Sequence, residues 1–489
     1  MTELLIEREP NNRPNGLHQN KICFAIIFVT IAVIVTLLSF KSSYNSYLPF
    51  LPKARIDNNK TIISCSQKDY IIKNEIAIPY FSQDVGQYFS KFQCTGSENN
   101  IEEWEERLCI FYNTCYNVDT GRFHYFRTTQ RKPKPIFYDS KRRMIYEFGN
   151  KDGINNFVSL ASRGSAPWSP ISVNEPYPSK NFTRLHDLHN LMQSTFASDN
   201  IAHGLWEDLG SISYSLDRMS ITDPNLVIMH LNNIPKTPLF KTYHQYVIPA
   251  LTKNPMVEFG TYVKSFHTKH VCFDRLIVGG QLSVFPKPRI KENHGREALF
   301  YNWRSKIIKY NGFDPNFVPK NHHIIITNKS VSVWTRPNSK LHRAIVNLEE
   351  VEKFIKLSYP TISVEVVEWH TIPFNKQIEK LLNTTILITP CGGVSLILPL
   401  LPNGAHAIVM DYYATVAVHG FSVGESGSME GALLNHIAHV RKQYYQIYGK
   451  QDYEFDFPGA TDAREASSII VNMTRLQLLI DKALEEMEP

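Results

Sequence analysis

The chain has 489 residues and a formal net charge of +6, too long for one ordinary core and too weakly basic for a nucleic-acid binder. Single cores stop growing near roughly 250 to 300 residues, so two domains with appendages are expected. No dense basic run accompanies the charge, which excludes the electrostatic footprint that DNA or RNA binding requires.

Residues 1–21 are hydrophilic and read as a cytoplasmic tail. Residues 22–40, ICFAIIFVTIAVIVTLLSF, are uncharged between Lys21 and Lys41. At about 1.5 Å per residue such a run nearly crosses a hydrocarbon core, so one membrane-spanning signal-anchor helix is expected. A cleaved signal peptide is the rival, disfavoured by the hydrophilic lead-in, the long apolar run and the lack of a nearby small-x-small cleavage site. Basic residues balance at the two ends, so charge does not orient the helix. Asn-x-Ser/Thr triplets at Asn59, Asn181, Asn328, Asn383 and Asn472 all follow it, and as N-glycosylation acceptors they place the bulk of the chain in the secretory lumen.

A polar segment with Pro49 and Pro52 opens a stem over 41–93. Cys65, Cys94, Cys109 and Cys115 cluster beyond the membrane run, where a disulfide-tied stem would sit in an oxidising lumen; unpaired thiols are the alternative. No CxxC pair or HExxH occurs, so no metal site is expected. The chain reads as a single-pass type II protein of the Golgi or endoplasmic reticulum membrane.

Two α/β blocks are expected after the stem, 94–315 and 316–489. The first contains the strand-like NLVIMHL and RLIVGG, and a turn-rich loop over Arg163–Ser179. In the second, HHIIITN, TISVEVVEW, TILITP and AHAIVMDYY are strand-like, and LEEVEKFIKLSY and FNKQIEKLLN have helical apolar spacing. That alternation implies a parallel sheet with ligands beyond the carboxyl ends of its strands. A closing helix is expected over Ala466–Glu486.

Three segments could carry chemistry. In SDNIAHGLWEDLGSISYSL, a helix capped by Ser198 or Asp199 would line up Ile201, Leu205, Leu209 and Ile212 as a core stripe. Asp199, Asn200, His203 and Glu207 then gather opposite, ordinarily a solvated face, while Asp208 falls on the apolar side, where a carboxylate must be paired or neutralised. In ITPCGGVSLILPLLPNGAHAIVMDYY, Gly392 and Gly393 leave a buried strand ahead of Ser395. Backbone N–H groups there could approach a diphosphate, although a plain turn explains two glycines equally well. Arg336 and Arg343 lie between a strand and a helix and could clamp phosphate, with surface arginines as the alternative.

In this order the segments resemble glycosyltransferase family 61. DNIAHGLWEDLGSISYSL looks like its D-N-x-x-H-x-x-x-D-D-L segment, and HVCFDRLIVGG is similar to its C-F-x-x-x-x-V-G signature. Arg336, Arg343, Asn347, Glu349 and Glu350 fit its S-R-x-x-x-R-x-I-x-N-E-x-E segment, and the run ending in NGA fits its H-G-A-G-L and F-L-P-P-G-A. Departures fall at Cys391, where the family has histidine, at Val394 and Ser395, and at the acidic residue displaced toward Asp411.

The resemblance implies an α/β, GT-B-like fold of two Rossmann-like domains with an inter-domain cleft, and inversion at the anomeric carbon. The donor, a nucleotide sugar and expectedly a UDP-sugar, is held by the C-terminal half, and a glycoprotein or glycan acceptor meets the N-terminal half. On this reading His203 is the base or the acceptor-orienting group, with Asp208 and Asp199 fixing its imidazole, and Asn200 lines the acceptor side. Arg336, Arg343, Asn347, Cys391, Gly392, Gly393, Ser395 and Asp411 bind the donor, with no essential metal. A catalytically inactive luminal glycan- or protein-binding member of the same fold is the alternative.

Overall fold

A computed structural model describes residues 89–95, 107–127, 137–138, 144–145, 157–160, 166–194, 200–232, 234, 236–279, 296–329, 343–417, 421–427 and 437–487. All of them lie in one compact unit, Gln67–Pro489, which contains, among the described residues, two large sheets and four two-stranded ones.

The first sheet has eight strands: β1 (Lys91–Thr95), β2 (Leu108–Asn117), β3 (Arg122–Phe126), β4 (Ile171–Val173), β5 (Phe182–Met192), β6 (Val227–His230), β7 (Val257–Glu258) and β8 (His270–Gly279), in the order β7-β6-β5-β8-β2-β3-β4, with β1 also on β2. Strands β5 to β8 pair in parallel, whereas β2 is antiparallel to β1, β3 and β8. Two disulfides join residues directly opposite on antiparallel neighbours, Cys94–Cys109 across β1 and β2 and Cys115–Cys272 across β2 and β8. The expected disulfide-tied stem is thus corrected: these cysteines belong to the sheet, and Cys65 lies outside the described residues.

The second sheet is wholly parallel: β9 (His323–Thr327), β10 (Ser363–Val367), β11 (Ile386–Pro390), β12 (His406–Met410) and β13 (Arg441–Tyr445), in the order β10-β9-β11-β12-β13. Its central strands are apolar runs because both faces are covered. Ile324, Ile386, Ile388 and Ile408 pack under α3 (Leu348–Ser358) and α5 (Met473–Glu485). The closing helix begins at Met473 rather than Ala466, because Ser467–Ile469 is a strand and Asn472 Oδ1 caps the helix by accepting from Arg475 N–H.

Ile325, Leu387 and Val409, from the opposite face, share one apolar layer with Leu188, Met192 and Ile277 of the first sheet. Between them lie a helix over 202–218, α2 (Arg296–Tyr310) and α4 (Phe374–Leu382), through Trp206, Leu209, Trp303, Ile307 and Ile378. Arg304 of α2 is fully buried and donates to the carbonyls of Pro399 (2.9 Å), Pro315 (2.9 Å) and Leu401 (2.7 Å). Its charge sits at the negative end of the short 3₁₀ helix Gly393–Leu400, and burial lowers its pKa to about 10.

The expected fold class is corrected to mixed α/β. The first sheet is mixed rather than Rossmann-like, because its long strands accept antiparallel partners, and the two sheets share a continuous apolar layer. The expected membrane helix over 22–40 lies outside the described residues, and among those no helix is long and apolar enough to cross a membrane, so it drops from the fold class.

Candidate active site

The segment expected to form an α-helix begins as a π-helix, Ala202–Leu209, and continues as α1, Gly210–Arg218. The widened turn is closed by Gly210 N–H donating to Leu205 O, and π-turns inside α-helices recur at functional sites. Asn200 starts it: its backbone C=O accepts from Gly204 N–H and its Oδ1 from Ala202 N–H. Ser198 and Asp199, the expected caps, lie outside the described residues. Two indoles hold the helix, Trp206 Nε1–H donating to Leu396 O (2.7 Å) and Trp303 Nε1–H to Leu205 O (3.1 Å).

His203 Nδ1 lies 2.5 Å from Glu207 Oε2, with the two side chains 14% and 11% exposed. The pair is therefore largely desolvated, where a charge-assisted hydrogen bond is strong. With Nδ1–H donating to the carboxylate, the basic lone pair sits on Nε2. Asp208 is 4% exposed and accepts from Ser194 Oγ–H at 2.5 Å. The structure thus gives His203 to Glu207, four residues on, and turns Asp208 to Ser194.

The glycine turn lies at the carboxyl end of β11. Gly392 has φ 109° and ψ −171°, a region essentially restricted to glycine. A Cβ on Gly392 would lie 3.6 Å from Lys329 Nζ and 3.8 Å from Arg343 Cζ, and one on Gly393 only 2.5 Å from Asn200 Oδ1. Asn200, Lys329 and Arg343, from three distant segments, therefore meet on two glycines that head a helix. Lys329 was missed by sequence reasoning, although its place just past β9 is where the strand-end rule directs attention.

Arg343 has a left-handed backbone, φ 46°, which costs a non-glycine residue about 1–3 kcal/mol unless its surroundings impose it. Ser395 is buried and donates Oγ–H to Gly392 O (2.8 Å), tightening the turn. Asn347 brackets the chain at Val471, donating Nδ2–H to its C=O and accepting its N–H, both at 2.9 Å, so its amide is spent on the fold. Glu349 and Glu350 are exposed in the first turn of α3. Arg336 lies outside the described residues.

Beyond the carboxyl ends of β11, β12 and β13 is an open pocket lined by Arg343, Cys391, Asp411, Tyr413, Tyr453 and Arg464, among others. Asp411 is buried and accepts from Ser426 Oγ–H (3.1 Å). The Tyr413 and Tyr453 rings stack with centroids 5.6 Å apart, and burial raises the Tyr453 pKa. Of the sequons, Asn181, Asn383 and Asn472 are exposed, Asn328 is half-buried next to Lys329, and Asn59 lies outside the described residues.

Residues 186–408 match the family model described as Glycosyltransferase 61. No curated protein matches the chain. The matched segment contains Asn200, His203, Glu207, Lys329, Arg343 and both glycines, and ends before Asp411, Tyr453 and Arg464. The chain therefore carries a segment, residues 186–408, that matches glycosyltransferase family 61, which supports a glycosyltransferase.

Proposed function

We propose that the enzyme transfers a sugar from a UDP-sugar to a glycoprotein or glycan acceptor, with inversion at the anomeric carbon, in the lumen of the Golgi or endoplasmic reticulum. The meeting of Asn200, Lys329 and Arg343 on the Gly392–Gly393 turn carries this reading, since two cations and backbone N–H groups suit a diphosphate leaving group. The two disulfides suit an oxidising lumen.

In the proposed reaction His203 Nε2 takes the acceptor hydroxyl proton as that oxygen bonds to the anomeric carbon from the face opposite the leaving group. The bond from that carbon to the diphosphate oxygen breaks, and the diphosphate departs with the electron pair toward Lys329, Arg343 and the glycine N–H groups. Glu207 stabilises the imidazolium that forms. General-base help of this kind contributes about 10²–10⁴-fold, and the donors on the leaving group supply electrostatic stabilisation. No essential metal is part of the proposal.

The test incubates the purified full chain with a panel of UDP-sugars, with and without EDTA, and follows UDP release and thermal stabilisation by UDP. Turnover with one sugar and stabilisation by UDP are expected, insensitive to EDTA. Neither stabilisation nor release would overturn the reading. Stabilisation without release, from a site with Cys391 where the family has histidine, would identify an inactive binding member instead.

A further inference from the structure

The left-handed backbone of Arg343 is held by a hairpin that lies beyond the family-matched segment. β14 (Tyr453–Phe455) pairs antiparallel with β15 (Ser467–Ile469), some distance past residue 408 where the match ends. Asp456, one residue beyond β14, accepts the Arg343 N–H on Oδ2 at 3.2 Å and the Ser468 hydroxyl on Oδ1 at 2.6 Å. The Ser468 oxygen in turn accepts the Ala344 N–H at 3.1 Å. Ile469 then clasps the next residues, its N–H donating to Ala344 O and its C=O accepting from Val346 N–H, both at 2.8 Å.

We propose that Asp456, acting with Ser468, is a positioning residue that holds Arg343 in the conformation aiming its guanidinium at the Gly392 turn. The proposal rests on the donor-site reading above. A left-handed non-glycine residue relaxes to a right-handed or extended backbone unless its amide is fixed from outside. That relaxation redirects the Cα–Cβ bond, and the guanidinium, 3.8 Å from the Cβ position of Gly392, leaves the diphosphate. Asp456 satisfies the amide with a carboxylate, the strongest acceptor a side chain offers, and Ser468 shares the load by fixing both that carboxylate and the following amide. The hairpin also brings Arg464 to the wall of the same pocket, so one element past the matched segment both aims one arginine and supplies another.

The experiment measures UDP affinity by calorimetry for the full chain and for Arg343→Ala, Asp456→Ala and the double variant, with folding checked by circular dichroism. Asp456→Ala is expected to weaken UDP binding about tenfold. The double variant should bind no more weakly than Arg343→Ala alone, because Asp456 acts only through the arginine. Asp456→Asn, which keeps an oxygen for the Arg343 amide, should recover most of the affinity. Wild-type affinity in Asp456→Ala, or additive losses in the double variant, would overturn the proposal. Should Asp456→Ala fail to fold, Ser468→Ala is read against the same two outcomes. An Arg343→Ala variant that binds UDP normally would defeat the donor-site reading and the latch together, whereas a defect in Arg343→Ala with none in the latch variants defeats the latch alone.

Discussion

The eight-stranded sheet is stitched by two cross-strand disulfides and covered on its outer face by aromatic rings, among them Phe111, Phe123, Phe157, Trp168 and Phe273. The five-stranded sheet is branched aliphatic in its central strands and lies between helices, and among the described residues it holds no disulfide. Antiparallel strands can be stapled across directly opposed residues. Parallel strands buried on both faces need only apolar area, and their carboxyl ends all open on one side. The first sheet thus acts as a cross-linked support for the His203 helix, and the second presents strand ends that gather cations and a glycine turn.

The sharpest way to separate the two halves is His203→Ala, expected to cut turnover by about 10²–10⁴-fold while calorimetry finds UDP affinity unchanged. Loss of UDP binding with it would mean that the helix belongs to the donor side. Next comes the staple: Cys115→Ser with Cys272→Ser opens a loop of 157 residues and should cost about 2–5 kcal/mol. Because the sheets share one apolar layer, calorimetric unfolding should keep a single transition at lower temperature; two transitions would show that the halves unfold independently.

Gly393→Ala tests the place where the halves touch. Its methyl would fall 2.5 Å from Asn200 Oδ1, and relief of such overlap costs about 1–3 kcal/mol. A matching loss of UDP affinity is expected, restored in part when Asn200→Gly is added; no restoration would locate the damage in the glycine turn itself.

Between neutral and mildly acidic pH the smallest expected effect is an acid dependence centred on His439, whose Nε2 bonds Pro399 O. Burial, aided by the nearby Arg304 charge, lowers its pKa from 6.5 to about 3. Below pH 6.5 the unfolded imidazole takes up a proton that the folded one refuses, so stability falls as the pH drops from 6.5 toward 3, by at most about 1.4 kcal/mol per pH unit. His439→Gln should flatten the decline in melting temperature between neutral and mildly acidic pH.

The second sheet was the more legible half. HHIIITN, TILITP and AHAIVMDYY are strands β9, β11 and β12, because a strand covered on both faces must be almost wholly apolar, and TISVEVVEW is edge strand β10, legible from its β-branched residues. Edge strand β13, RKQYY, carries no such run and gave no signal. The first sheet's mixed pairing was hidden because partners such as Cys115 and Cys272 are set by contacts far apart in sequence. The glycine turn and Arg343 were visible as motifs. Lys329 was available from its strand-end position, but Asp456 was not, since it reaches Arg343 across 113 residues. The α-helical wheel set Glu207 on the His203 face, where the structure finds the bond; the pairing of His203 with Asp208 came from the resemblance.

The π-turn is in effect a stored frameshift, since each of its hydrogen-bonded rings holds one residue more than the α-turns that follow. Excising one amino acid from Ala202–Leu209 would let the ladder close at ordinary spacing. The residue lost would be the one the wider turn carries in excess, so Asn200 ahead of it and Ile212 and Leu216 behind it, the latter two seated in the core, would stay close to their places. What would change is the spacing inside the turn, where His203 and Glu207 bond each other. Chain length, and not only side-chain identity, is therefore a determinant of the site in this helix.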